Sequence, residues 1–349
     1  MKLRYAALAL SLMAASAMAK PIVFPDRFDP IGTPVSSLKT AEGRTVHYTD
    51  TGEAGWRPML FVGGAGTSGR AAELIAFLDT LRRQLKVRII TVERNGLGDT
   101  AYDPNWTFAD YTSEVRQVLA HLGVDKFALV AISGGGAYAG HIAAAMPERI
   151  TSWHMLAAIA QAPADSSMCS APLSALEANL TEQTGAPRVF QAKPPEGMAS
   201  KVRGFVDRAA DEGAHAYFIA GQHGDARGVV REYRSFCDAP AAVKAFPAPA
   251  YFTYGEADKV VPPSQGEVWA SKVAGKVTFR RYPGEGHDVQ YRHWDQVLLD
   301  VSGYGDQTLV CEKGRARLLP RVVQAADLPK GTIPGVCAWT AKEASYAAK

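Results

Sequence analysis

The chain has 349 residues, of which 47% are hydrophobic and 21% charged, a balance typical of a globular protein with enough apolar side chains for a large core. Its formal net charge at pH 7 is +3 and it contains no dense run of lysine and arginine, which excludes the electrostatic footprint of a nucleic-acid-binding protein. The eight histidines are scattered and show no H-E-x-x-H or comparable ligand spacing, so we expect neither a metal site nor a cofactor.

The first residues carry the pattern of a secretory signal peptide. Lys2 and Arg4 precede an apolar stretch at 6–15, and small residues end the segment at Ala17 and Ala19. We predict cleavage after Ala19 and a periplasmic or secreted protein, whose formal charge falls from +3 to +1 when Lys2 and Arg4 are removed. The apolar stretch is too short to span a bilayer, and no later stretch is long and apolar enough, so no membrane span is predicted.

Four cysteines, an even number, favour disulfides in an exported protein, and no C-x-x-C pair is present. Three pairings are possible. We predict Cys169–Cys237 and Cys311–Cys337, because each pair brackets a segment that otherwise lacks an obvious core. Closing each loop would stabilise the fold by roughly 3–4 kcal/mol. The alternative is four free, buried thiols.

Predicted strands and helices alternate along the first half of the chain. Apolar and β-branched runs predict the strands, and apolar residues at helical spacing predict the helices. The predicted strands are 44–49, 59–62, 87–92, 127–132 and 150–156, and the predicted helices are 70–85, 108–122 and 137–145. Such alternation produces βαβ units, so we predict an α/β fold with a mostly parallel central sheet flanked by helices.

This alternation stops after residue 159. Residues 160–247 are richer in Gln, Pro, Asp and charged residues and show only helical patterns, at 174–180 and 202–212. The sheet pattern resumes with strands 250–254 and 277–282 and helices 264–273 and 290–301, and the tail holds one short apolar run, 308–311. We therefore predict a signal peptide at 1–19, a core formed by 20–159 and 248–302, a helical cap insertion at 160–247, and a C-terminal extension at 303–349.

The apolar run that begins at Phe127 ends abruptly at Ser133, and three glycines follow. A serine on such a strand-to-helix bend points its hydroxyl out of the sheet, and Ala131 and Gly135 are small where strand and helix approach closely. The pattern is that of the G-x-S-x-G nucleophile elbow with alanine in the first position; the alternative is a glycine-rich turn that cradles a phosphate. The turn Gly63-Gly-Ala-Gly66 also follows a strand, so we expect it to lie near Ser133 at the carboxyl edge of the sheet.

Three turns that follow predicted strands carry Ser133, Asp258 and His287 in that order. From about residue 44 to 299 the chain resembles the α/β-hydrolase superfamily, which uses the same order of serine, acid and histidine. Residues 110–156 resemble its elbow region, Gly255-Glu-Ala-Asp258 its acid loop and Gly284-Glu-Gly-His287 its histidine loop. The resemblance implies the α/β-hydrolase fold with a helical cap insertion.

The resemblance implies a role for each of these residues. Ser133 is the expected nucleophile, His287 the base that takes its proton, and Asp258 the acid that orients and stabilises the imidazolium. The oxyanion of the tetrahedral intermediate would be bound by two backbone N–H groups, which by position belong to Ala65 and Gly134.

Several alternative assignments remain open. Glu256 is a second candidate for the acid, and Thr67 and Ser68 are candidate oxyanion donors, although loop hydroxyls more often bond their own backbone. Asp288 is predicted to be a solvated or loop-capping residue. Structural roles are predicted for His141, His154, His293 and Trp294.

Two positions depart from the family pattern. Gly63 stands where many members carry histidine, and Ala131 replaces the first elbow glycine; both residues are small and leave the geometry possible. The His-Gly-Gly-Pro-Gly loop associated with proline iminopeptidases is absent. Because position 133 is serine and not aspartate, epoxide hydrolases and haloalkane dehalogenases, which form an ester on a carboxylate, are disfavoured.

The pattern as a whole predicts an exported serine hydrolase that cleaves small-molecule carboxylic esters through an acyl-enzyme. Amide, lactone or carbon–carbon bond hydrolysis and perhydrolysis use the same triad and remain alternatives, as does a non-catalytic binding protein on this fold. Four aromatic residues of the insertion are candidates to line an apolar pocket, with a role as ordinary core residues as the alternative: Tyr217, Phe218, Tyr233 and Phe236. The tail from Gly303 is interpreted as a stabilising wrap, with oligomer contacts or surface attachment as the alternative.

Overall fold

A computed structural model of the protein describes residues 33–185, 226–322 and 327–337. The predicted signal peptide and the predicted helix at 202–212 lie outside the described residues, as do Tyr217 and Phe218. No helix within the described ranges is long and apolar enough to cross a membrane.

An eight-stranded sheet forms the centre of the fold. Its strands are β1 (Val35–Lys39), β2 (Thr45–Thr51), β3 (Arg57–Val62), β4 (Val87–Val92), β5 (Phe127–Ile132), β6 (Ile150–Leu156), β7 (Ala250–Gly255) and β8 (Val277–Tyr282). The spatial order is β1-β2-β4-β3-β5-β6-β7-β8, with β1, β2 and β4 paired antiparallel and all other neighbours parallel. The predicted α/β fold with a mostly parallel sheet is confirmed.

The central strands are apolar on both faces because helices cover both sides of the sheet. Every residue of β4 and of β5 is buried, as expected for strands inside a parallel sheet. Along β3, Leu60 and Val62 join one core cluster while Met59 and Phe61 join the other. This alternation follows from the two-residue repeat of a strand.

Helices and one long 3₁₀ segment connect the strands. They are a 3₁₀ helix (Gly69–Leu78), α1 (Asp79–Gln84), α2 (Phe108–His121), α3 (Gly135–Ala145), a 3₁₀ turn (Pro147–Arg149), α4 (Ser167–Ser170), α5 (Leu173–Gly185), α6 (Arg227–Ser235), α7 (Pro263–Ala270), α8 (Val289–Arg292) and α9 (Trp294–Val301). Thr107 and Asp110 form a reciprocal capping box that fixes the start of α2.

Two predicted helices differ from the observed ones. The segment predicted as one helix at 70–85 is a 3₁₀ helix followed by the short α1. The helix predicted at 290–301 is divided into α8 and α9 at His293, whose backbone leaves the helical region. The His293 ring stacks on Tyr282 at a centroid distance of 3.6 Å and its Nε2 lies 2.8 Å from Glu285 Oε2. These long-range contacts fix the ring at the point where the helix breaks.

Two disulfide-closed additions complete the described structure. The first, here called the insertion, comprises the described residues between β6 and β7 and contains α4, α5 and α6; the Cys169–Cys237 disulfide closes it. The second, the C-terminal extension, follows α9 and forms a sheet of β9 (Gln307–Glu312), β10 (Arg315–Pro320) and β11 (Thr332–Pro334), closed by Cys311–Cys337. Both pairings agree with the prediction. The sequence reading missed β1, β10, β11, α4 and α6.

Candidate active site

Ser133 occupies a strained turn directly after β5. Its φ angle of 47° lies in the left-handed region that a residue with a Cβ seldom adopts. Backbone hydrogen bonds hold it there, because its N–H donates to Leu156 O at 3.2 Å and its carbonyl accepts from Gly136 N and Ile159 N at 3.0 and 2.9 Å. Strain of this kind persists only where the surrounding structure enforces it, and it concentrates at functional sites.

The glycines after Ser133 are required by close backbone approach. A Cβ added at Gly135 would lie 2.4 Å from Val62 O, and one at Gly136 would lie 2.4 Å from Ile159 O. Helix α3 can therefore begin this close to the ends of the strands only with glycine at these positions. The glycines at 135 and 136 therefore have a direct steric cause.

The structure brings Ser133, His287 and Asp258 into one hydrogen-bonded chain. His287 Nε2 lies 3.0 Å from Ser133 Oγ, and His287 Nδ1 lies 2.8 Å from Asp258 Oδ2. His287 and Asp258 are 2% and 4% exposed, whereas Ser133 is only partly buried. The serine hydroxyl is therefore the exposed end of this hydrogen-bonded chain.

Backbone donors fix the Asp258 carboxylate. Its Oδ1 accepts hydrogen bonds from Val260 N and Val261 N, both at 2.8 Å, so Oδ2 is directed at the imidazole. A carboxylate can only accept, so the hydrogen-bond network assigns the ring proton to Nδ1 of His287 and leaves Nε2 as the acceptor for the serine hydroxyl. This is the tautomer that a general base requires.

The acid loop and the histidine loop are joined through their backbones. Ala257 N donates to Glu285 O at 2.9 Å, and a Cβ at Gly255 would lie 2.3 Å from the same oxygen. The Glu285 side chain faces His293 at 2.8 Å and Arg292 at 3.5 Å. Burial alone would raise the pKa of Glu285, but His293 and Arg292 hold it below its ordinary value. Glu285 therefore stays ionised and anchors the loop behind His287.

The two predicted oxyanion donors lie next to each other. A Cβ added at Gly134 would lie 3.0 Å from Ala65 N and 2.6 Å from the tip of the Phe236 ring. Among the described residues, no acceptor is hydrogen-bonded to the N–H of Ala65 or of Gly134. Two adjacent N–H groups are thus available beside Ser133.

A buried arginine supports the loop that carries Ala65, and the sequence analysis did not find it. Arg94 lies two residues after the end of β4 and donates to Gly63 O at 2.9 Å, to Gly64 O at 2.6 Å, and to Thr67 Oγ1 and O at 3.2 and 3.3 Å. Its Nε donates to Glu232 of α6. Both side chains of this ion pair are 2% exposed. The only sequence signal for Arg94 was its place between a strand end and the turn Asn95-Gly-Leu-Gly98.

The alternative candidates for acid and donors occupy other positions. Glu256 is exposed, whereas Asp258 is the carboxylate at the imidazole. Thr67 Oγ1 donates to Gly64 O at 2.6 Å, and Ser68 Oγ accepts from Arg70 N, so both hydroxyls bond the backbone of their own loop. Asp288 precedes the first residue of α8 and lies 3.9 Å from Arg292.

His141 and His154 have partners other than Ser133. His141 stacks on Phe108 at 4.4 Å, and His154 Nε2 lies 2.8 Å from Ser152 Oγ. Burial, reinforced by Arg280, lowers the pKa of His154 to about 3, so this imidazole is neutral. Over the described ranges, no group of three or more His, Cys, Asp or Glu side chains is arranged to hold a metal ion.

Comparison with solved structures agrees with the fold described above. An esterase from Exiguobacterium antarcticum superimposes with a TM-score of 0.60 at 14% identity, covering 78% of this chain and 100% of the other. A probable hydrolytic enzyme from Pseudomonas aeruginosa PAO1 gives a TM-score of 0.59 at 18% identity, covering 78% and 95%. Epoxide hydrolase A from Mycobacterium thermoresistibile gives 0.54 at 17% identity, covering 78% and 98%. At such identities these structures are similar in fold.

The sequence itself decides the family. A search of the curated proteins finds no match. The model of the alpha/beta hydrolase family matches residues 59–301, a range that begins in β3, ends with α9 and includes Ser133, Asp258 and His287. The match covers more than half of the chain, and the chain therefore belongs to the alpha/beta hydrolase family.

Proposed function

We propose that the protein is a serine hydrolase that cleaves carboxylic esters through an acyl-enzyme on Ser133. The observation that carries the proposal is the buried hydrogen-bonded chain from Ser133 Oγ through His287 to Asp258. A serine hydroxyl is a weak nucleophile until a positioned base removes its proton, and this chain supplies that base.

Acylation follows from the geometry of the chain. Ser133 Oγ attacks the ester carbonyl carbon while its proton passes to His287 Nε2, and Asp258 stabilises the imidazolium that forms. The tetrahedral intermediate collapses as Nε2 returns the proton to the leaving alkoxide, so that an alcohol departs and Ser133 carries the acyl group. A water molecule, deprotonated by His287, then attacks the acyl carbon; the bond from that carbon to Ser133 Oγ breaks as Nε2 returns the proton to Oγ, and the carboxylic acid leaves.

The carbonyl oxygen becomes negatively charged in both tetrahedral intermediates. We assign the N–H groups of Ala65 and Gly134 as the donors that bind it, because the two residues are neighbours in space. Losing one such donor typically raises the barrier by about 2.7–4 kcal/mol. These two groups would therefore supply a large part of the rate enhancement.

Ester hydrolysis is favoured over epoxide hydrolysis because of the residue on the elbow. The similar structures include both esterases and epoxide hydrolases. An epoxide hydrolase that forms an alkyl ester needs a carboxylate nucleophile, whereas position 133 holds a hydroxyl hydrogen-bonded to the His287 imidazole. Amide, lactone and carbon–carbon bond cleavage use the same groups, and a panel of substrates distinguishes them from ester cleavage.

The test is fluorophosphonate labelling followed by peptide mass analysis, together with turnover of p-nitrophenyl esters of graded acyl length. We expect one adduct per chain on Ser133, and loss of both labelling and turnover in Ser133→Ala and His287→Ala. Ser152→Ala is a matched control, because Ser152 forms another Ser–His pair, with the buried His154. That variant should retain wild-type turnover. Turnover in Ser133→Ala close to that of the wild type would refute the proposal, and absence of labelling would favour a binding protein.

We also propose that the protein is exported, on the strength of the leader pattern at 1–19. The intact mass of protein expressed from the full sequence tests this. Mature chains that begin at Lys20 and are recovered outside the cytoplasm are expected; an uncleaved chain retained in the cytoplasm would contradict it.

A further inference from the structure

We propose that Arg94 and Glu232 are positioning residues that hold the Ala65 N–H in its donor orientation, so that helix α6 of the insertion forms part of the oxyanion site. The inference rests on the proposed function, since it assigns the support of the donor used there. It concerns the loop of residues 63–67, here called the oxyanion loop.

Arg94 fixes the peptide that carries the Ala65 N–H. Its Nη2 donates to Gly64 O at 2.6 Å. The peptide unit is planar and trans, so the carbonyl of residue 64 and the N–H of residue 65 point in opposite directions. A Gly64 carbonyl held toward the guanidinium therefore turns the Ala65 N–H away from Arg94. A second bond, from Nη1 to Gly63 O at 2.9 Å, fixes the preceding peptide in the same way.

Glu232 fixes the peptide on the other side of Ala65. Its Oε2 accepts the Gly66 N–H at 2.8 Å, while Oε1 accepts from Arg94 Nε. Arg94 thus holds the peptide before Ala65, and Glu232, the other member of the same ion pair, holds the peptide after it. Neither plane can rotate without breaking a charge-assisted hydrogen bond in a buried site, where such bonds are strong.

The insertion supplies Glu232 and also the neighbouring apolar wall. Glu232 lies on α6, and Phe236, which follows the end of that helix, is 3% exposed with its ring tip close to Gly134. The Cys169–Cys237 disulfide holds the end of α6, and Arg234 donates to Ala171 O at 2.8 Å. Helix α6 is therefore fixed against both donor residues of the site.

A second buried ion pair allows a positioning role to be separated from a purely structural one. Arg280 on β8 pairs with Asp300 on α9, with side chains 3% and 1% exposed, and neither residue contacts the oxyanion loop. Replacing Asp300 by asparagine removes the same kind of charge at the same depth. Any loss that follows from an unbalanced buried charge alone will appear in both pairs.

The experiment compares Glu232→Gln, Glu232→Ala and Asp300→Asn in the full chain. It measures kcat and KM for a p-nitrophenyl ester, affinity for an arylboronic acid that forms a tetrahedral anion on Ser133, and the unfolding midpoint. We expect Glu232→Gln to lower kcat about 10–100-fold with KM within about threefold, because small errors in donor position act on the transition state. Boronate affinity should fall with kcat. Glu232→Ala, which also removes the acceptor for Gly66 N–H, should lose more.

Asp300→Asn is expected to lower the unfolding midpoint while kcat stays within about twofold of the wild type. Arg94→Lys supplies a second test if Glu232→Ala does not fold, since an ammonium group lacks the planar fork with which Arg94 holds Gly63 O, Gly64 O and Glu232 together, and kcat should again fall with little change in KM.

Two results would overturn the inference while leaving the proposed function intact: Glu232→Gln with wild-type kcat and boronate affinity, or an equal loss of kcat in Asp300→Asn. Failure of the proposed function is distinguished by the wild type itself, which would show no Ser133 adduct, and that result would overturn both.

Discussion

The serine side and the histidine side of the candidate site are each supported by a different addition to the sheet. On the serine side, α6 of the insertion contacts the oxyanion loop directly, through Glu232 and the Gly66 N–H. On the histidine side, the C-terminal extension contacts α9, where Asp295 Oδ2 accepts the Val336 N–H at 2.8 Å. Both additions are closed by a disulfide, but the insertion contacts the oxyanion loop itself, whereas the extension contacts a helix behind the histidine loop.

The support from the C-terminal extension is indirect. Asp295 lies at the start of α9, two residues after His293, whose ring holds Glu285 in the histidine loop. Burial raises the pKa of Asp295, and neighbouring His293 partly opposes this. Several contacts thus separate Val336 from His287, whereas one hydrogen bond separates Glu232 from the loop of Ala65. We therefore expect damage to the insertion to alter rate, and damage to the extension to alter mainly stability.

The largest loss of kcat should come from changing Asp258, the proposed acid on the histidine side. Asp258→Asn keeps the shape but can donate to Nδ1, which favours the wrong tautomer of His287, and kcat should fall about 10⁴-fold. Glu256→Gln, an exposed carboxylate two residues away, is the control and should change kcat by less than about twofold. Steady-state kinetics on one ester measures both. Equal losses in the two variants would mean that Asp258 is not the acid.

On the serine side, Gly134→Ala should lower kcat about 10–100-fold. The added Cβ would lie 2.6 Å from the Phe236 ring and 3.0 Å from Ala65 N, so the donors must separate. Adding Phe236→Ala removes the contact with the ring and should restore part of the lost kcat. The recovery should be incomplete because the contact with Ala65 remains.

Gly140→Ala controls for overpacking in the same helix. Its Cβ would meet Trp269 at 2.3 Å, away from the oxyanion loop, so it should lower the unfolding midpoint without changing kcat. Unchanged kcat in Gly134→Ala would contradict the placement of the donors.

Removing each disulfide compares the two additions directly. Loops of 68 and 26 residues are closed by Cys169–Cys237 and Cys311–Cys337, and opening either should cost about 3–4 kcal/mol of unfolding free energy. The double serine variant of the first pair should also lose about tenfold in kcat, because α6 is no longer held against the site. The second should keep kcat within about threefold. Urea unfolding and steady-state kinetics on both variants measure these effects. A larger loss of kcat in the second variant than in the first would contradict the expectation that the insertion, and not the extension, supports the rate.

The smallest effect concerns stability far from either side. Burial raises the pKa of Glu114 on α2 to about 7 from its ordinary 4.5, although Arg44 at 2.9 Å opposes the shift. The folded state holds this proton more tightly than the unfolded state, so stability is lost as pH rises from about 4.5 to 7.

Glu114→Gln cannot ionise and should therefore gain about 2–3 kcal/mol relative to the wild type between pH 5 and pH 8. Urea unfolding at the two pH values measures this. A constant difference between variant and wild type would show that Glu114 does not titrate in this range. Because Glu114 lies outside the candidate active site, the variant should not change the pH dependence of kcat.

Much of the fold followed from local sequence patterns. Strands at 87–92, 127–132 and 150–156 have the predicted bounds, because continuous apolar runs between turn residues are local signals. The candidate site could also be predicted from the sequence, since residues at the carboxyl ends of neighbouring parallel strands meet at one edge of the sheet. The order of Ser133, Asp258 and His287 required no knowledge of the packing. Local patterns were weakest in the additions, where α6 and β10 were missed.

By itself, then, the sequence determined the α/β class, located the elbow and identified Ser133, Asp258 and His287; it left three disulfide pairings possible, and the structure shows the predicted one. Only the tertiary structure decided the partner of Arg94, the break of the last helix at His293 and the small sheet that contacts α9. The physical reason is range. Arg94 and Glu232 are 138 residues apart, and each alone resembles an ordinary surface charge until folding buries both at the oxyanion loop.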